Sequence, residues 1–383
     1  MNSFQFYNPV KIYFGENQIK EFAPELEKAQ RVLLVYGGGS IKKNGVYDAC
    51  MQACHGKTVF EYSGIEPNPE YETLMKAVRL ARTEKVDYII AAGGGSVIDG
   101  TKFISAAIPF EGEPWDIPTK NPDIKNVIPF GCIQTLPATG SEMNCFSVVS
   151  RSEQGLKVGF GNPMLYPKFS VLDPLTTKTL PDHYVANGVV DSFVHVLEQY
   201  LTYPVNAPLQ DRFCESILST LVEEGPKTLK NKDDSDSRAN FMWSSTMALN
   251  GLIGAGVPHD WSTHMIGHEL TALFGIDHAR TLAVVLPEVL KFQLEDKRAK
   301  LTQYGERVWG LSGDNIAEDA VLKTSQFFEE MGIPTKLSKY DIDAEKIKTV
   351  ATALKQKGMT QLGENQKITP DVAVDLLSKS LNS

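Results

Sequence analysis

The sequence predicts two parts, an α/β half in residues 1–180 and an all-helical half in residues 181–383. Three observations support this division. In the first half, short and continuously apolar runs alternate with stretches of helical spacing, which is typical of a parallel sheet covered by helices on both faces. After about Leu180, strand-like runs nearly disappear and helical spacing continues. The length of 383 residues also fits two domains better than one.

Composition and charge disfavour several classes of protein. The chain is 42% hydrophobic and 22% charged, as folded globular proteins usually are. Its 38 basic and 47 acidic residues give a net charge of -9, which disfavours non-specific binding to nucleic acid or to an anionic membrane. No apolar run approaches the ~20 residues of a spanning helix, and the first residues do not resemble a signal peptide. Five cysteines without a C-x-x-C pair favour a reducing cytoplasm.

The elements of the α/β half follow one another in a regular order. We expect strands at Arg31–Tyr36, Thr58–Tyr62, Asp87–Ala92 and Val127–Ile133. Apolar residues at helical spacing predict helices over 71–84 and 97–107, between these strands. Beyond this half, Pro181 is placed as a helix-start proline, and an apolar stripe follows it. The whole pattern predicts a parallel sheet and then a bundle of helices.

Three glycines and a serine follow two of these strands. Gly93–Ser96 opens a helix, where bare backbone and the helix N-terminus favour a phosphate group. It is neither the G-x-G-x-x-G fingerprint nor a P-loop, so a plain tight turn is the alternative. Gly37–Ser40 has no acidic residue to hold the ribose hydroxyls of NAD, and Lys42 and Lys43 follow it, which favours the extra phosphate of NADP. A surface turn with solvated lysines is the other interpretation.

A third segment, Thr135–Glu142, follows the strand at 127–133. It supplies hydroxyl groups and a glycine at the carboxyl end of a strand, where they can contact a phosphate or a ribose. A loop that is merely rich in serine and threonine would look the same.

The second half contains a group of acidic and imidazole side chains. Asp191 and His195 are four residues apart, as are His264 and His268, so each pair lies on one face of a helix. His278 follows ten residues later. Carboxylate oxygen and imidazole nitrogen are ligands suited to Fe²⁺ or Zn²⁺. The absence of H-E-x-x-H disfavours a metalloprotease of that class, and the spacing does not decide which of the last two histidines is a ligand.

Together these motifs resemble the iron-containing, group III alcohol dehydrogenases, in the branch of butanol dehydrogenase-like, NADPH-dependent aldehyde reductases. The resemblance covers essentially the whole chain. Besides the segments above, it rests on Pro67–Pro69, Asp173-Pro174, Gly188–Ser192 with His195, and His264-x3-His268-x9-His278. It implies an N-terminal Rossmann-like dinucleotide-binding domain over 1–180 and an all-helical metal-binding domain over 181–383, with the active site in the cleft between them.

The resemblance also implies a role for each candidate residue. It implies one divalent metal, Fe²⁺ or Zn²⁺, held by Asp191, His195, His264 and His278. His268 would then be a catalytic residue beside the nicotinamide and the substrate. NADP(H), with NADH as a possible cofactor, would contact Gly37, Gly38, Ser40, Asn68, Gly94, Gly95, Ser96, Asp99, Thr135, Thr139 and Lys157. Members of this branch resemble homodimers.

The activity implied is that of a metal-dependent, NADP(H)-preferring alcohol dehydrogenase or aldehyde reductase acting on short-chain aldehydes or primary alcohols. An NADH-dependent butanol dehydrogenase and a polyol dehydrogenase of the propanediol or glycerol type are the nearest alternatives. A dehydroquinate synthase-like lyase would need basic residues for its substrate, whereas the surroundings of the histidines are apolar. A two-domain ligand-binding protein with a structural metal and a metal hydrolase are further alternatives. We expect Glu198, seven residues after Asp191, to be a solvated helix position rather than a support of the metal shell.

Overall fold

The structure is a computed structural model and describes residues 1–382. Within that range the strands are β1 (Lys11–Phe14), β2 (Arg31–Tyr36), β3 (Thr58–Tyr62), β4 (Tyr88–Gly94), β5 (Phe130–Leu136), β6 (Phe146–Arg151), β7 (Leu156–Gly161) and β8 (Phe169–Leu172). The helices of the first half are α1 (Val46–Ala53), α2 (Tyr71–Thr83), α3 (Gly95–Ala107) and α4 (Asp116–Lys120). The later helices are α5 (Asp182–Tyr200), α6 (Pro208–Lys230), α7 (Ser235–Ala248), α8 (Ser262–Phe274), α9 (His278–Phe292), α10 (Leu294–Trp309), α11 (Ile316–Glu330), α12 (Ala344–Gln356) and α13 (Pro370–Asn382).

Six of the strands form a parallel sheet in the order β1-β8-β5-β4-β2-β3, and β6 and β7 form a separate antiparallel pair. The sheet is covered on both faces because alternate side chains of a strand point in opposite directions. In β2, Val32 and Leu34 join the cluster that contains residues of α1, whereas Leu33 and Val35 join the cluster that contains residues of α2 and α3. The predicted α/β architecture is confirmed.

The four predicted strands are all present. β2 and β3 have the predicted bounds, and β4 and β5 extend further toward their carboxyl ends, to Gly94 and Leu136. The sequence did not predict β1, β8 or the hairpin of β6 and β7. These strands are short or only half-buried, so they lack the long apolar run that marks the inner strands.

The second half of the chain is mostly helical, as predicted. After β8, no further strand is found in the part of the chain that ends at residue 382. α5 begins directly after Pro181, and the apolar residues of its predicted stripe, among them Val190 and Val194, are fully buried. None of the helices within residues 1–382 is long and apolar enough to cross a membrane.

The packing of the chain forms two compact units. One unit, here named the sheet unit, contains residues 7–181 and 232–246. The other, the helical unit, contains residues 1–6, 182–231 and the residues from 247 onward. Most of α7 belongs to the sheet unit, where Arg238 donates hydrogen bonds to the carbonyl oxygen and the hydroxyl of Thr177, both at 3.1 Å. The predicted domain boundary at residue 180 stays a prediction about domains, since packing alone does not test independent folding.

Candidate metal and cofactor sites

Asp191 and His195 lie one turn apart on α5, His264 lies in the first turn of α8, and His278 begins α9. All three helices belong to the helical unit, in which α9 packs against both α5 and α8. One oxygen of Asp191, Oδ1, lies 3.7 Å from Nε2 of His195 and 3.9 Å from Nε2 of both His264 and His278. Three imidazoles from three helices therefore direct the same nitrogen toward one carboxylate oxygen.

This arrangement fits a divalent metal. Bonds of about 2.1 Å at tetrahedral angles place neighbouring ligand atoms about 3.4 Å apart, close to the 3.7 to 3.9 Å found here. Asp191 is only 4% exposed, and its Oδ1 has no hydrogen-bond partner among the residues described. Because a buried carboxylate oxygen without a partner is energetically costly, its position is better explained by a cation.

The ligand atoms of Asp191, His195 and His264 form the tightest group and lie within 4.8 Å of one another. His278 is more exposed than these three residues, and its Nε2 approaches the group at Oδ1 of Asp191. Burial lowers the pKa of His195 to about 4. The neutral imidazole that a metal requires is therefore the favoured form at neutral pH.

His268 lies beside this group, one turn after His264 on α8. Its ring centre is 4.8 Å from that of His278 and 6.3 Å from that of His264. Nε2 of His278 faces Asp191, whereas the ring of His268 packs against that of His278. This geometry favours His278 as the ligand, and the assignment stays a prediction. His268 is also partly exposed to solvent.

Glu198 is buried, so our expectation of a solvated helix position was wrong. Its Oε1 accepts a hydrogen bond of 2.7 Å from the backbone N–H of Thr263, and its Oε2 bonds with Nδ1 of His264. Burial and the neighbouring carboxylate of Asp260 raise the pKa of Glu198 to about 8. The signal was present in the sequence, since residues 191, 195 and 198 share one helical face.

Trp261 is a neighbour of the histidines that the sequence did not indicate. Its backbone is left-handed, with φ 60°, which is rare for an aromatic residue. Its ring centre lies 5.2 Å from that of His264 and 6.3 Å from that of His195. The indole N–H donates a hydrogen bond of 3.2 Å to Nδ1 of His259. An aromatic side chain therefore borders the imidazole group.

In the sheet unit, the two glycine turns and the Thr135–Glu142 segment lie at the carboxyl ends of three neighbouring parallel strands. β2 and β5 lie on either side of β4, and Gly94 pairs with Leu136. A Cβ on Gly37 would lie 3.3 Å from the carbonyl oxygen of Ile65, whereas a Cβ on Gly38 would meet no atom within 4 Å. Gly37 is therefore packed against its neighbours and Gly38 faces open space.

The start of α3 fits a phosphate group. The helix begins at Gly95, and no side chain in the described range caps its N-terminus, so its first N–H groups can bind an anion. A Cβ on Gly95 would lie 2.4 Å from Oγ1 of Thr139. Glycine thus allows the Thr139 loop to approach the helix. Thr135, the other predicted threonine, is buried near the end of β5.

Three predicted cofactor residues are joined by hydrogen bonds. The backbone N–H of Asn68 donates to Oγ of Ser96 at 3.3 Å, and Nζ of Lys157 donates to Oδ1 of Asn68 at 2.9 Å. Lys157 lies on β7, in the hairpin that the sequence did not predict. The structure therefore brings these residues together beside the start of α3.

The carboxylate of Asp99 is engaged within the protein. Its Oδ1 accepts a hydrogen bond from Ser141 at 2.5 Å, and its Oδ2 accepts one from the backbone N–H of Val148 at 2.9 Å. Both oxygens of Asp99 thus hold the segment that contains Ser141 and Val148. The contact of Asp99 with the cofactor stays a prediction. At the first glycine turn, Ser40 begins a short helical turn and Lys42 pairs with Glu61 at 3.2 Å.

Comparison with known families gives a match along both halves of the chain. The family described as iron-containing alcohol dehydrogenase matches residues 9–174. The family described as Fe-containing alcohol dehydrogenase, C-terminal, matches residues 185–381. The two matches together include every metal and cofactor candidate described above.

The chain is similar to the NADPH-dependent aldehyde reductase YqhD of Escherichia coli K12, with 53% identity over 97% of this chain and 98% of that protein. It is 39% identical to the probable NADH-dependent butanol dehydrogenase 1 of Bacillus subtilis, over 100% of both chains. Among solved structures, E. coli YqhD has a TM-score of 0.97 at 51% identity, with 99% of each chain covered. NADH-dependent butanol dehydrogenase A of Thermotoga maritima has a TM-score of 0.95 at 32% identity, covering 100% of this chain and 99% of that one.

Proposed function

Because the chain belongs to the iron-containing alcohol dehydrogenase family, we propose that it is a metal-dependent, NADP(H)-preferring alcohol dehydrogenase and aldehyde reductase. It transfers hydride between the nicotinamide and short-chain aldehydes or primary alcohols. The observation that carries the proposal is the convergence of three imidazole Nε2 atoms on one buried oxygen of Asp191. The identity of 53% to a protein named NADPH-dependent aldehyde reductase supports the substrate class and the cofactor preference.

Asp191, His195, His264 and His278 are the proposed ligands of one divalent metal, Fe²⁺ or Zn²⁺. When bound, such an ion supplies a Lewis acid that polarises the carbonyl group of an aldehyde. Asp191 contributes negative charge to the ligand set, and the three histidines contribute neutral nitrogens. The ring of Trp261 borders the imidazoles of His195 and His264.

We assign the proton transfer to His268. An imidazole exchanges protons readily near neutral pH, and this one is partly exposed and packs against the ring of His278. In the reducing direction it would donate the proton that completes the alcohol. Direct transfer from solvent is the alternative for this step.

The cofactor, NADPH, supplies the hydride. The start of α3, with Gly94, Gly95 and Ser96, is the proposed site of its phosphates together with Thr139. Gly37, Gly38 and Ser40 lie at the end of β2, where an extra phosphate on the ribose would not meet an acidic side chain of this turn. Asn68 and Lys157 would contact ribose groups, and Thr135 the adenosine part.

A second candidate is an NADH-dependent butanol dehydrogenase. The pairing of Lys42 with Glu61 favours it, because this pairing partly neutralises one of the two lysines that follow the first glycine turn. Relatives of 39% and 38% identity carry names of that class. A polyol dehydrogenase remains a further alternative for the substrate.

We also propose that the enzyme is a cytoplasmic homodimer. All five cysteines are free, which suits a reducing compartment. The dimer is an extension from the family resemblance, and size-exclusion chromatography with light scattering would test it. A monomer at micromolar concentration would contradict it.

A steady-state scan of aldehydes and alcohols tests the proposed function, using protein reconstituted with Fe²⁺ or Zn²⁺ and either NADPH or NADH. We expect a higher kcat/KM with NADPH and turnover of short-chain aldehydes. A wide preference for NADH would favour the butanol dehydrogenase, and a preference for glycerol or propanediol would favour the polyol dehydrogenase. Absence of NADPH oxidation with every aldehyde would contradict the proposal.

A further inference from the structure

We propose that Glu198 is a positioning residue that holds His264 in the orientation and tautomer required for metal binding. This inference rests on the proposed metal site. Glu198 lies on the same helix as Asp191 and His195, yet its carboxylate bonds with His264 on another helix, α8. It therefore connects the ligands of α5 to a ligand of α8.

The two oxygens of Glu198 have separate partners. Oε1 accepts the backbone N–H of Thr263 at 2.7 Å, and Oε2 bonds with Nδ1 of the next residue, His264. The first contact places the carboxyl group at the start of α8, where the helix dipole favours its ionised form. The second contact, with Nδ1, fixes the orientation of the imidazole ring of His264. The start of the helix and the direction of its histidine are thus fixed by one carboxylate.

The contact at Nδ1 also determines the tautomer of His264. The positive charge of a bound metal favours the ionised form of Glu198 over the protonated form of the metal-free site, and an ionised carboxylate accepts hydrogen bonds and donates none. The proton of a neutral imidazole bonded to it therefore lies on Nδ1, which leaves the lone pair on Nε2. That nitrogen is the one that lies 3.9 Å from Oδ1 of Asp191. Support of this kind, by a second residue behind a metal ligand, typically changes metal affinity or activity by about 10–100-fold.

A change from Glu198 to Gln removes this arrangement while preserving size. A glutamine has one acceptor oxygen and an amide group that donates. If its oxygen faces Thr263, the amide faces Nδ1 of His264 and favours the tautomer with the proton on Nε2. If it is reversed, the amide faces the N–H of Thr263 and that bond is lost. Neither orientation satisfies both contacts.

Glu215→Gln is the matched control within the same unit. Glu215 is a buried glutamate of α6, and its Oε1 accepts hydrogen bonds from Tyr200, Gln303 and Arg307 at 2.8 to 2.9 Å. This change removes a buried negative charge from a hydrogen-bonded network that does not include the histidines. Its effect on Co²⁺ binding shows how much the removal of any buried carboxylate from the helical unit changes metal affinity.

The test is a titration of the metal-free chain of 383 residues with Co²⁺ alone. Binding is followed by the visible absorption of the bound ion and by competition with a chelator. We expect Glu198→Gln to weaken Co²⁺ affinity by about 10–100-fold and to alter the absorption spectrum at saturation. Glu215→Gln should keep the wild-type affinity and spectrum. Binding of NADPH, followed by its fluorescence, should be unchanged in both variants and shows that each is folded.

Three results would overturn the inference. Wild-type affinity and spectrum in Glu198→Gln would show that Glu198 only caps α8, and an equal loss in Glu215→Gln would show a general effect of destabilisation. If the wild-type protein itself does not bind Co²⁺, the proposed metal site fails and the role of Glu198 fails with it. The wild-type titration thus distinguishes failure of the proposed function from failure of this inference alone.

Discussion

Two buried polar clusters, one in each unit, solve the problem of buried charge in opposite ways. In the sheet unit, the ammonium group of Lys102 is fully buried and donates hydrogen bonds to Ser141, Asn144 and the carbonyl oxygen of Phe146, at 2.6 to 2.9 Å. In the helical unit, a carboxylate oxygen of Asp191 is buried and faces three imidazoles without a hydrogen-bond donor from the described chain. The first cluster contains its own cation, whereas the second is the proposed site for a cation from solution.

This difference predicts different dependence on the environment. The Lys102 cluster is complete as encoded, so its stability should not vary with metal concentration. The Asp191 cluster should become more stable as a divalent ion binds, because a ligand of the folded state shifts the folding equilibrium. Substitutions in the two clusters should therefore affect different measurements.

The largest expected effect is that of Asp191→Ala. Loss of this ligand should remove bound metal and lower kcat/KM by about 10⁴-fold or more, because Lewis-acid stabilisation amounts to several kcal/mol. Metal content by mass spectrometry and steady-state kinetics would measure it. Asp296→Ala, which removes an exposed carboxylate paired with Lys367 in the same unit, should change neither. Retention of metal and activity in Asp191→Ala would disprove the ligand assignment.

His268→Ala tests the boundary of the metal cluster. We expect the variant to keep its metal and to lose turnover by about 10²–10⁴-fold, the usual contribution of a general acid or base. The two quantities are measured on the same preparation. If the metal is lost as well, His268 is a ligand and the distinction from His278 is incorrect.

Lys102→Met tests the cluster that contains its own cation. The change removes the ammonium donor from the oxygens of Ser141 and Asn144 and from the carbonyl oxygen of Phe146, and it removes the positive charge near the buried Asp99. Loss of one partner from such a group typically costs about 3–5 kcal/mol. Urea denaturation should show this decrease in the free energy of unfolding, with or without added metal. Lys76→Met, at an exposed position of α2, should stay within about 0.5 kcal/mol.

The smallest expected effect concerns the cofactor preference. Gly38→Asp introduces a carboxylate where a Cβ has open space, so the chain should accept it without strain. The new charge would repel the extra phosphate of NADPH and could bond with the ribose hydroxyls of NADH. We expect KM for NADPH to rise about 10-fold, equivalent to about 1.4 kcal/mol, and KM for NADH to fall. Gly38→Ala adds the Cβ without the charge, and an equal effect there would exclude electrostatic selection.

The sequence was informative where local pattern determines structure. The apolar run of β2 was found with its bounds, because a strand buried on both faces has a strong signal. β3 was also found with its bounds, although it is a half-buried edge strand. The position of residues 232–246 in the sheet unit could not be read in this way, since it depends on tertiary contacts such as that of Arg238 with Thr177. Local sequence pattern predicts where a helix or strand lies, but the element it packs against depends on residues far away in the sequence.

The candidate site shows the same limit. Spacing of four residues identified Asp191 with His195 and His264 with His268, but it gave no means of choosing between His268 and His278. That choice depends on how α9 packs against α5 and α8. Glu198 was misjudged for a related reason, because its burial results from the start of α8 lying over that face of α5.

Trp261, whose backbone is in the left-handed conformation, gives the protein an intrinsic fluorescent probe. Of the four tryptophans, it is the one whose ring contacts histidines of the proposed metal group, whereas Trp115, Trp243 and Trp309 contact Tyr71, Phe14 and Phe193. A paramagnetic ion bound among those histidines would quench the emission of Trp261 more than that of the other three. The decrease in tryptophan fluorescence during a metal titration would then measure the fraction of molecules with bound metal. This measurement needs neither an added label nor an activity assay.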